Sequence, residues 1–158
     1  MKAIVLSDSH GGVENIEKAV AKAGSFDTAI FLGDGVADFE RAFRLRPEVS
    51  TYCVKGNCDY SSSLVEAAAI PLGSHKVLIT HGHRYGVRYD HIGVVSLARQ
   101  NGCEAVLHGH THIRFDRFFD GIRVFCPGSV SVPRDGLPKC FGIITEVDGR
   151  LEFEFSEL

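Results

Sequence analysis

The chain has 158 residues, 44% of them hydrophobic and 23% charged, and a formal net charge of -3 at pH 7. A chain of this length buries about 70% of the surface that it exposes when unfolded, so intrinsic disorder and fibrous repeats are excluded. The slightly acidic balance also excludes a broad cationic surface, so we expect no strong nucleic-acid binding.

The first third of the chain alternates short apolar runs with amphipathic segments, which is typical of parallel strands connected by helices. The predicted strands are residues 2–7, 28–32 and 51–54, and the predicted helices are residues 13–23 and 36–45. Gly24 is expected to end the first helix and Pro47 to stop the second. This part of the sequence predicts a strand, a loop and a helix three times in succession.

The rest of the chain is predicted to be mostly strands. Residues 64–70 and 75–80 are predicted to form a hairpin across Pro71–Ser74. A helix is predicted at residues 91–100, and further strands at residues 105–108, 115–119, 122–125, 141–147 and 151–155. Because no linker, repeat or low-complexity segment interrupts these elements, we expect one domain spanning residues 1–158.

The cysteines indicate where the protein works. Five cysteines, an odd number, are spread widely with no C-x-x-C pair, and we expect no signal peptide before them. Reduced thiols in the cytoplasm are the natural interpretation. No segment approaches the roughly 20 apolar residues that cross a bilayer, so no membrane association is expected. A homo-oligomer is compatible with the sequence.

Polar residues that suit metal ligation follow the predicted strands. They are Asp8-Ser9-His10, Gly33-Asp34, Gly56-Asn57, Thr80-His81-Gly82-His83 and Gly109-His110-Thr111-His112. In open α/β sheets the carboxyl ends of parallel strands share one edge, where ligands bind, so these distant segments are expected to converge. The sequence therefore predicts a metal site at this edge.

Each of these segments also has a simpler interpretation. Asp8 and Asp34 are of the type that caps helices and closes turns, and Asn57 is an ordinary loop residue. A single pair of histidines two residues apart is often structural. The conjunction of five such segments, each after a predicted strand, nevertheless favours a metal site.

The order D-x-H, G-D, G-N, H and G-H-x-H, running from Asp8 to His112, resembles the signature of the calcineurin-like metallophosphoesterase superfamily. The segments GNCD (56–59), THGH (80–83) and CPGS (126–129) resemble its compact bacterial and archaeal phosphodiesterase group of the YfcE type. The resemblance implies an α/β fold, a β-sandwich flanked by helices in four layers (α-β-β-α), with a two-metal centre at its edge.

The resemblance also implies a ligand set for two divalent metal ions. Asp8, His10 and His112 would hold one ion and Asn57, His81 and His110 the other, with Asp34 bridging them. A carboxylate has two oxygens and can span two ions, which fits that bridging role. The nitrogen and oxygen ligands favour Mn, Fe, Zn, Ni or Co over Ca, and we expect Mn. The absence of thiolates argues against a structural zinc site.

The activity implied is that of a metal-dependent phosphoesterase, above all a phosphodiesterase, acting on a small phosphoester. Its nucleophile would be a hydroxide shared by the two ions. Two divalent ions and the carboxylates of Asp8 and Asp34 leave about two positive charges, which suits an anionic substrate. The alternatives are a phosphomonoesterase, a nucleotide-pyrophosphate hydrolase, or a non-catalytic scaffold of the same fold that binds protein partners.

The residue after the motif asparagine departs from many superfamily members, which carry a histidine there that is thought to assist the leaving group. Here the position is Cys58, and a neutral thiol with a pKa of about 8.5 is a poor replacement. We therefore consider His83 as the proton donor, with support of the metal ligands or an exposed side chain as its alternatives. Asp59 is expected to orient the loop that carries Asn57.

Overall fold

Two five-stranded β-sheets and three α-helices build the fold. The computed structural model describes residues 1–158. The strands are β1 (Lys2–Leu6), β2 (Thr28–Phe31), β3 (Ser50–Cys53), β4 (Ala67–Leu72), β5 (His75–Thr80), β6 (Ala105–His108), β7 (Arg114–Phe119), β8 (Ile122–Pro127), β9 (Cys140–Val147) and β10 (Arg150–Glu157). The helices are α1 (Val13–Ala23), α2 (Val36–Phe43) and α3 (Ile92–Gln100), and His83–Tyr85 form one 3-10 turn. No helix combines the length and apolar character needed to span a membrane.

Both sheets have a parallel centre. The first sheet has the order β10-β9-β1-β2-β3, in which β1, β2 and β3 run parallel and β9 and β10 are antiparallel additions. The second has the order β4-β5-β6-β8-β7, with β5, β6 and β8 parallel. The loops after the parallel strands therefore leave each sheet at its carboxyl edge, as the sequence predicts.

Alternate residues of the strands face different hydrophobic layers. In β1, Ala3 and Val5 pack between the two sheets, whereas Ile4 and Leu6 pack against the layer that contains Ile16 of α1 and Phe39 of α2. This follows from the two-residue period of a strand, which places neighbouring side chains on opposite faces. Helix α3 covers the outer face of the second sheet. The four-layer α-β-β-α prediction is confirmed.

The bounds of helix α1 follow from its apolar spacing and from the glycine after it. Ile16, Ala19, Val20 and Ala23 recur at three and four residues and are all buried, so one side of the helix faces the sheet. Gly24 follows with a positive φ of 68°, a conformation that ends helices and that glycine adopts at low cost.

The missing third helix and the bounds of β4 are the largest departures from the predicted elements. No third helix follows β3; residues 54–66 form a loop with turns at 57–58 and 60–61, in which the Asp59 carboxylate accepts a hydrogen bond from the N–H of Gly56 (2.8 Å). Strand β4 begins at Ala67 instead of residue 64 and continues through Pro71 to Leu72, which leaves Gly73–Ser74 as the hairpin turn. Proline is tolerated there because β4 lies at the edge of its sheet.

Candidate metal centre

The loops after β1, β2, β5 and β6 are joined by backbone hydrogen bonds. The N–H of Asp8 donates to Gly33 O (3.0 Å) and that of His10 to Asp34 O (3.1 Å), while the N–H of Gly109 donates to His81 O (3.2 Å). These bonds link neighbouring loops within each sheet. They fix the backbone from which the predicted ligands project.

Asp34 lies in the middle of the site. Its side chain is only 3% exposed, and its Oδ2 lies 3.4 Å from His81 Nε2 and 3.8 Å from His10 Nε2. Its Oδ1 accepts a hydrogen bond from the N–H of Cys58 (2.7 Å). One carboxylate therefore stands between a histidine that follows the first sheet and one that follows the second.

Asp8 is the second buried carboxylate, with 0% exposure. Its Oδ2 accepts hydrogen bonds from Ser7 Oγ (2.6 Å) and from the N–H of His110 (3.1 Å). Its Oδ1 accepts none, although His112 Nε2 lies 3.1 Å and His10 Nε2 3.9 Å away. A buried carboxylate oxygen without a donor is costly unless a cation accompanies it.

The tautomers of two histidines add to the evidence for a cation. His112 Nδ1 lies 2.7 Å from Val132 O and His81 Nδ1 lies 2.7 Å from Leu32 O. Because a carbonyl only accepts, Nδ1 carries the proton in the neutral ring and Nε2 keeps its lone pair. Those lone pairs face carboxylate oxygens, which only accept: Nε2 of His112 lies 3.1 Å from Asp8 Oδ1, and Nε2 of His81 lies 3.4 Å from Asp34 Oδ2.

Asn57 and His110 complete the set on the side of His81. Asn57 Oδ1 lies 3.2 Å from His81 Nε2, and the rings of His81 and His110 have centroids 5.1 Å apart. All seven predicted ligands thus lie in one continuous cluster. Within it, the potential ligand atoms of Asp8, His10 and His112 lie within 4.8 Å of one another, as do those of Asp8, Asp34 and His81.

The backbone of the cluster is strained. Seven non-glycine residues have a positive φ, and five of them are predicted ligands: Asp8 (57°), His10 (45°), Asp34 (58°), His110 (68°) and His112 (60°). Such a conformation costs on the order of 1 kcal/mol or more for each residue and collects at functional sites. The concentration of strain at the ligands supports a functional role for this edge.

Two glycines let the loops approach the carboxylates. A Cβ on Gly56 would collide with the carboxylate and N–H of Asp34, and a Cβ on Gly109 would collide with Ser7 Oγ and Asp8 Oδ2. The glycines that accompany the ligands in the sequence are therefore required by close packing around the two carboxylates. The residues present fit a centre that holds divalent cations.

The charges of the cluster control its protonation. Burial opposes ionisation of Asp34, but a hydrogen bond and the positive charge of His81 outweigh burial and hold the pKa of Asp34 below its usual value. Burial also opposes a charge on His81, yet the neighbouring carboxylates raise its pKa. Burial and nearby positive charges lower the pKa of His110 to about 4, so this ring is neutral at pH 7 and free to ligate a metal.

Asp59 holds more of the site than the loop of Asn57, which is all that the sequence predicts for it. Its Oδ2 accepts hydrogen bonds from the N–H groups of Asp34 (2.7 Å) and Gly56 (2.8 Å). Its Oδ1 accepts from the N–H groups of Gly35 and Val36 (both 2.9 Å), at the start of α2. The carboxylate therefore joins the loop of Asp34 to the loop of Asn57 and caps a helix whose own Gly35 provides no side chain.

Two further supports were missed at the level of sequence. Asp38 Oδ2 accepts hydrogen bonds from Ser9 Oγ (2.6 Å) and the N–H of Gly11 (2.8 Å), which holds the loop after β1. Ser129 Oγ donates to Asp8 O (2.8 Å) and accepts from the N–H of Val132 (2.7 Å), whose carbonyl orients His112. Asp38 lies within a helical pattern that gave no separate signal, whereas Ser129 lies in the CPGS segment.

His83 lies beside the cluster. Its ring centroid is 5.4 Å from that of His81 and 6.1 Å from that of His110, and its Nε2 lies 3.8 Å from Glu66 Oε1. Burial and the charge of His81 lower the pKa of His83. Burial and the neighbouring carboxylates raise the pKa of Cys58 to about 11, so its thiol stays protonated at neutral pH.

Comparison with protein families identifies the chain. A family model described as the calcineurin-like phosphoesterase superfamily domain matches residues 1–149. The chain belongs to the calcineurin-like phosphoesterase superfamily. It is 30% identical over 146 residues to the probable metallophosphoesterase YsnB of Bacillus subtilis, covering 92% of this chain and 84% of YsnB. It is 28% identical over 169 residues to the phosphodiesterase YfcE of Escherichia coli, covering 91% and 87% of the two chains.

Solved structures extend this result. A Streptococcus pneumoniae protein described as a predicted phosphoesterase matches with a TM-score of 0.79 and 27% identity, over 98% of this chain and 87% of that one. Vps29 of Entamoeba histolytica, in a complex with Zn²⁺, matches with a TM-score of 0.75 and 21% identity, over 99% and 98% of the two chains. The second likeness concerns the fold. The family model and the two curated relatives confirm the predicted resemblance to the superfamily and to its YfcE-type group.

Proposed function

We propose that this calcineurin-like phosphoesterase is a metal-dependent phosphodiesterase that hydrolyses a small phosphoester at a centre of two divalent metal ions. The observation that carries the proposal is Asp34, whose buried Oδ2 stands 3.4 Å from His81 Nε2 and 3.8 Å from His10 Nε2. Two carboxylates, four imidazoles and one amide around this point match the ligand types of Mn, Fe, Zn, Ni and Co. We favour Mn.

The protein residues would divide the work of the centre. Asp8, His10 and His112 would hold one ion, Asn57, His81 and His110 the other, and Asp34 would contact both. When bound, such ions activate water as the nucleophile and neutralise charge that develops on the phosphoryl group. His81 Nδ1–H donates to Leu32 O and His112 Nδ1–H donates to Val132 O, and these hydrogen bonds would keep both Nε2 atoms directed at the centre.

The site offers no strong acid to protonate the leaving group. The thiol of Cys58, with a pKa raised to about 11, is too weak an acid to take the place of an imidazolium. His83 is the proposed donor, but its lowered pKa leaves the ring neutral unless the anionic substrate raises it. We therefore expect a preference for ester groups that leave without protonation.

Two alternatives use the same fold. A phosphomonoesterase or nucleotide-pyrophosphate hydrolase would need the same ligands and differ only in the groups around the phosphate. A non-catalytic scaffold that binds protein partners would need neither the buried carboxylates nor the strained ligand backbone. The concentration of positive φ at five predicted ligands therefore favours an enzyme over a scaffold.

We further propose that residues 1–158 form one domain that acts in the cytoplasm. The core between the two sheets draws residues from both of them, including Val5 of the first and Leu107 of the second. All five cysteines are free thiols, which suits a reducing compartment.

Hydrolysis of bis-p-nitrophenyl phosphate tests the proposed function. We expect turnover with added Mn²⁺, loss of more than about 90% of it on chelation, and recovery when Mn²⁺ is restored, because the ions supply the nucleophile. The absorbance of the released p-nitrophenolate gives the rate. Circular dichroism of the chelated protein controls for unfolding. Undiminished hydrolysis in a chelator would overturn the proposal.

A further inference from the structure

One edge of the second sheet is open. Strand β7 lies at the end of the order β4-β5-β6-β8-β7 and pairs only with β8. The N–H of Arg114, its first residue, points away from β8 and donates to Asp135 Oδ2 (3.2 Å). Because hydrogen-bonding directions alternate along an antiparallel strand, the N–H and C=O groups of Asp116 and Phe118 point to the same outer side. These four backbone groups are a template on which another strand can pair.

A groove with apolar walls runs beside this edge, between β7 and helix α3. It has a volume of about 660 Å³, and its walls include Tyr89, Ile92, Phe115 and Phe119. Tyr89 and Ile92 are 92% and 75% exposed. Phe115 and Phe119 lie on the same face of β7, since they are four residues apart, and both pack against the core beneath α3. A strand added to β7 would therefore place every second side chain in this groove.

The other edge strands are less suited to pairing. Strand β4 contains Pro71, which has no N–H to donate, and β3 has only four residues. Strand β10 carries Glu152, Glu154 and Glu157, and charged side chains along an edge oppose pairing.

The charges of β7 are paired except at one position. Arg114 pairs with Asp135 (3.2 Å) and Asp116 with Arg123 (2.7 Å). Arg117 is exposed and belongs to no ion pair. An acidic side chain opposite Arg117 on an added strand would therefore be stabilised.

The groove itself adds no net charge. Asp120 pairs with Arg99 (3.6 Å), and the remaining charged residues of the lining, Asp90 and Arg117, cancel. Asp90 already accepts a hydrogen bond from the N–H of Ile92 (2.9 Å) at the start of α3. The groove thus favours apolar side chains, with one acidic side chain at Arg117.

A second copy of this chain is a poor occupant. Two β7 strands related by a two-fold axis pair antiparallel, and each face of one sheet continues into the same face of the other. The two registers that pair most of the strand place Asp116 or Arg117 directly opposite its own copy. Like charges in that position are destabilising, so the edge favours a segment of different sequence.

We propose that β7 and the groove beside it bind an extended segment of a partner protein as an added strand. The segment carries apolar side chains opposite Phe115 and Phe119, with an acidic side chain between them, opposite Arg117. Backbone hydrogen bonds to Asp116 and Phe118 hold it in register, and the apolar side chains fill the groove. This inference is independent of the proposed phosphodiesterase function.

A designed peptide tests the backbone pairing. Acetyl-Thr-Val-Ala-Glu-Ala-Val-Thr-amide has the proposed pattern, and a copy that is N-methylated at both alanines lacks the two donors that face β7. Calorimetry should show saturable binding of the first peptide and at least about tenfold weaker binding of the second, because two hydrogen bonds are lost. Equal affinities, or no binding of the first peptide at about 1 mM, would overturn the proposal.

Hydrogen exchange measured by NMR locates the bound peptide. Saturation with the first peptide should slow exchange of the Asp116 and Phe118 amides about tenfold or more and leave those of Phe115 and Arg117, which point to β8, unchanged. Protection that appears elsewhere but not at Asp116 and Phe118 would contradict strand addition.

A charge exchange tests the register. Arg117→Glu should weaken binding of the glutamate peptide about fivefold and strengthen binding of a peptide with lysine in its place. Arg44→Glu is the matched control, because Arg44 is exposed and lines a separate groove beside β3, so neither affinity should change. An unchanged preference in Arg117→Glu, or an altered one in Arg44→Glu, would overturn the docking site.

Light scattering distinguishes a partner protein from a second copy. The molar mass of the wild type should be the same with and without the peptide, apart from the mass of the peptide itself. A dimer that the peptide dissociates would assign this edge to a second copy and overturn the proposal.

Discussion

Replacement of Asp34 by asparagine is expected to lower kcat/KM for bis-p-nitrophenyl phosphate by about a thousandfold or more. The substitution removes one negative charge and one oxygen ligand from the point between His10 and His81. Because a single carboxylate is proposed to contact both ions, its loss weakens the whole centre. Steady-state kinetics over a range of Mn²⁺ concentrations measures the effect and shows whether excess metal restores part of it.

Asp120→Asn is the matched control for this variant. Asp120 also has a positive φ (49°) and carries out no proposed function, lying in the turn between β7 and β8. The same chemical change in the same backbone conformation should leave kcat/KM within about twofold of the wild type. If Asp34→Asn also retained activity within that margin, Asp34 could not be the shared ligand.

Replacement of Asp59 by alanine is expected to lower the free energy of unfolding by about 2–4 kcal/mol. Four N–H groups, from Asp34, Gly35, Val36 and Gly56, donate to this one carboxylate. Each loses a charged acceptor, although water can replace part of the loss because the bonds are half-buried. Urea unfolding of the metal-free protein measures the change without a contribution from metal binding.

Asp90→Ala gives the corresponding reference at another helix. Asp90 Oδ1 accepts a single exposed hydrogen bond, from the N–H of Ile92 (2.9 Å), at the start of α3. Its loss should cost about 0.5–1 kcal/mol, the usual effect of one capping side chain. An Asp59→Ala protein no less stable than Asp90→Ala would show that the four bonds contribute no more than an ordinary cap.

The regular elements follow largely from local patterns. The apolar spacing of α1 and the glycine after it define both of its ends, because only one side of the helix can face the sheet. The absence of a third helix could not be foreseen. It depends on Asp59 accepting hydrogen bonds from the separate loop of Asp34–Val36, a contact between residues far apart in sequence.

The candidate site likewise has a part that the sequence predicts and a part that it does not. Its residues could be chosen from sequence because each follows a strand, and parallel strands bring their carboxyl ends to one edge. The bonds that orient His81 and His112 could not be chosen, since their acceptors, Leu32 O and Val132 O, are backbone groups with no residue signature.

The central claim is that two metal ions share Asp34, and anomalous diffraction at the Mn edge from crystals grown with Mn²⁺ tests it most directly. We predict two anomalous peaks in each chain, one beside Asp8, His10 and His112 and one beside Asn57, His81 and His110, with the Asp34 carboxylate within coordination distance of both. A structure with no peak near Asp34, in crystals saturated with Mn²⁺, would contradict the account.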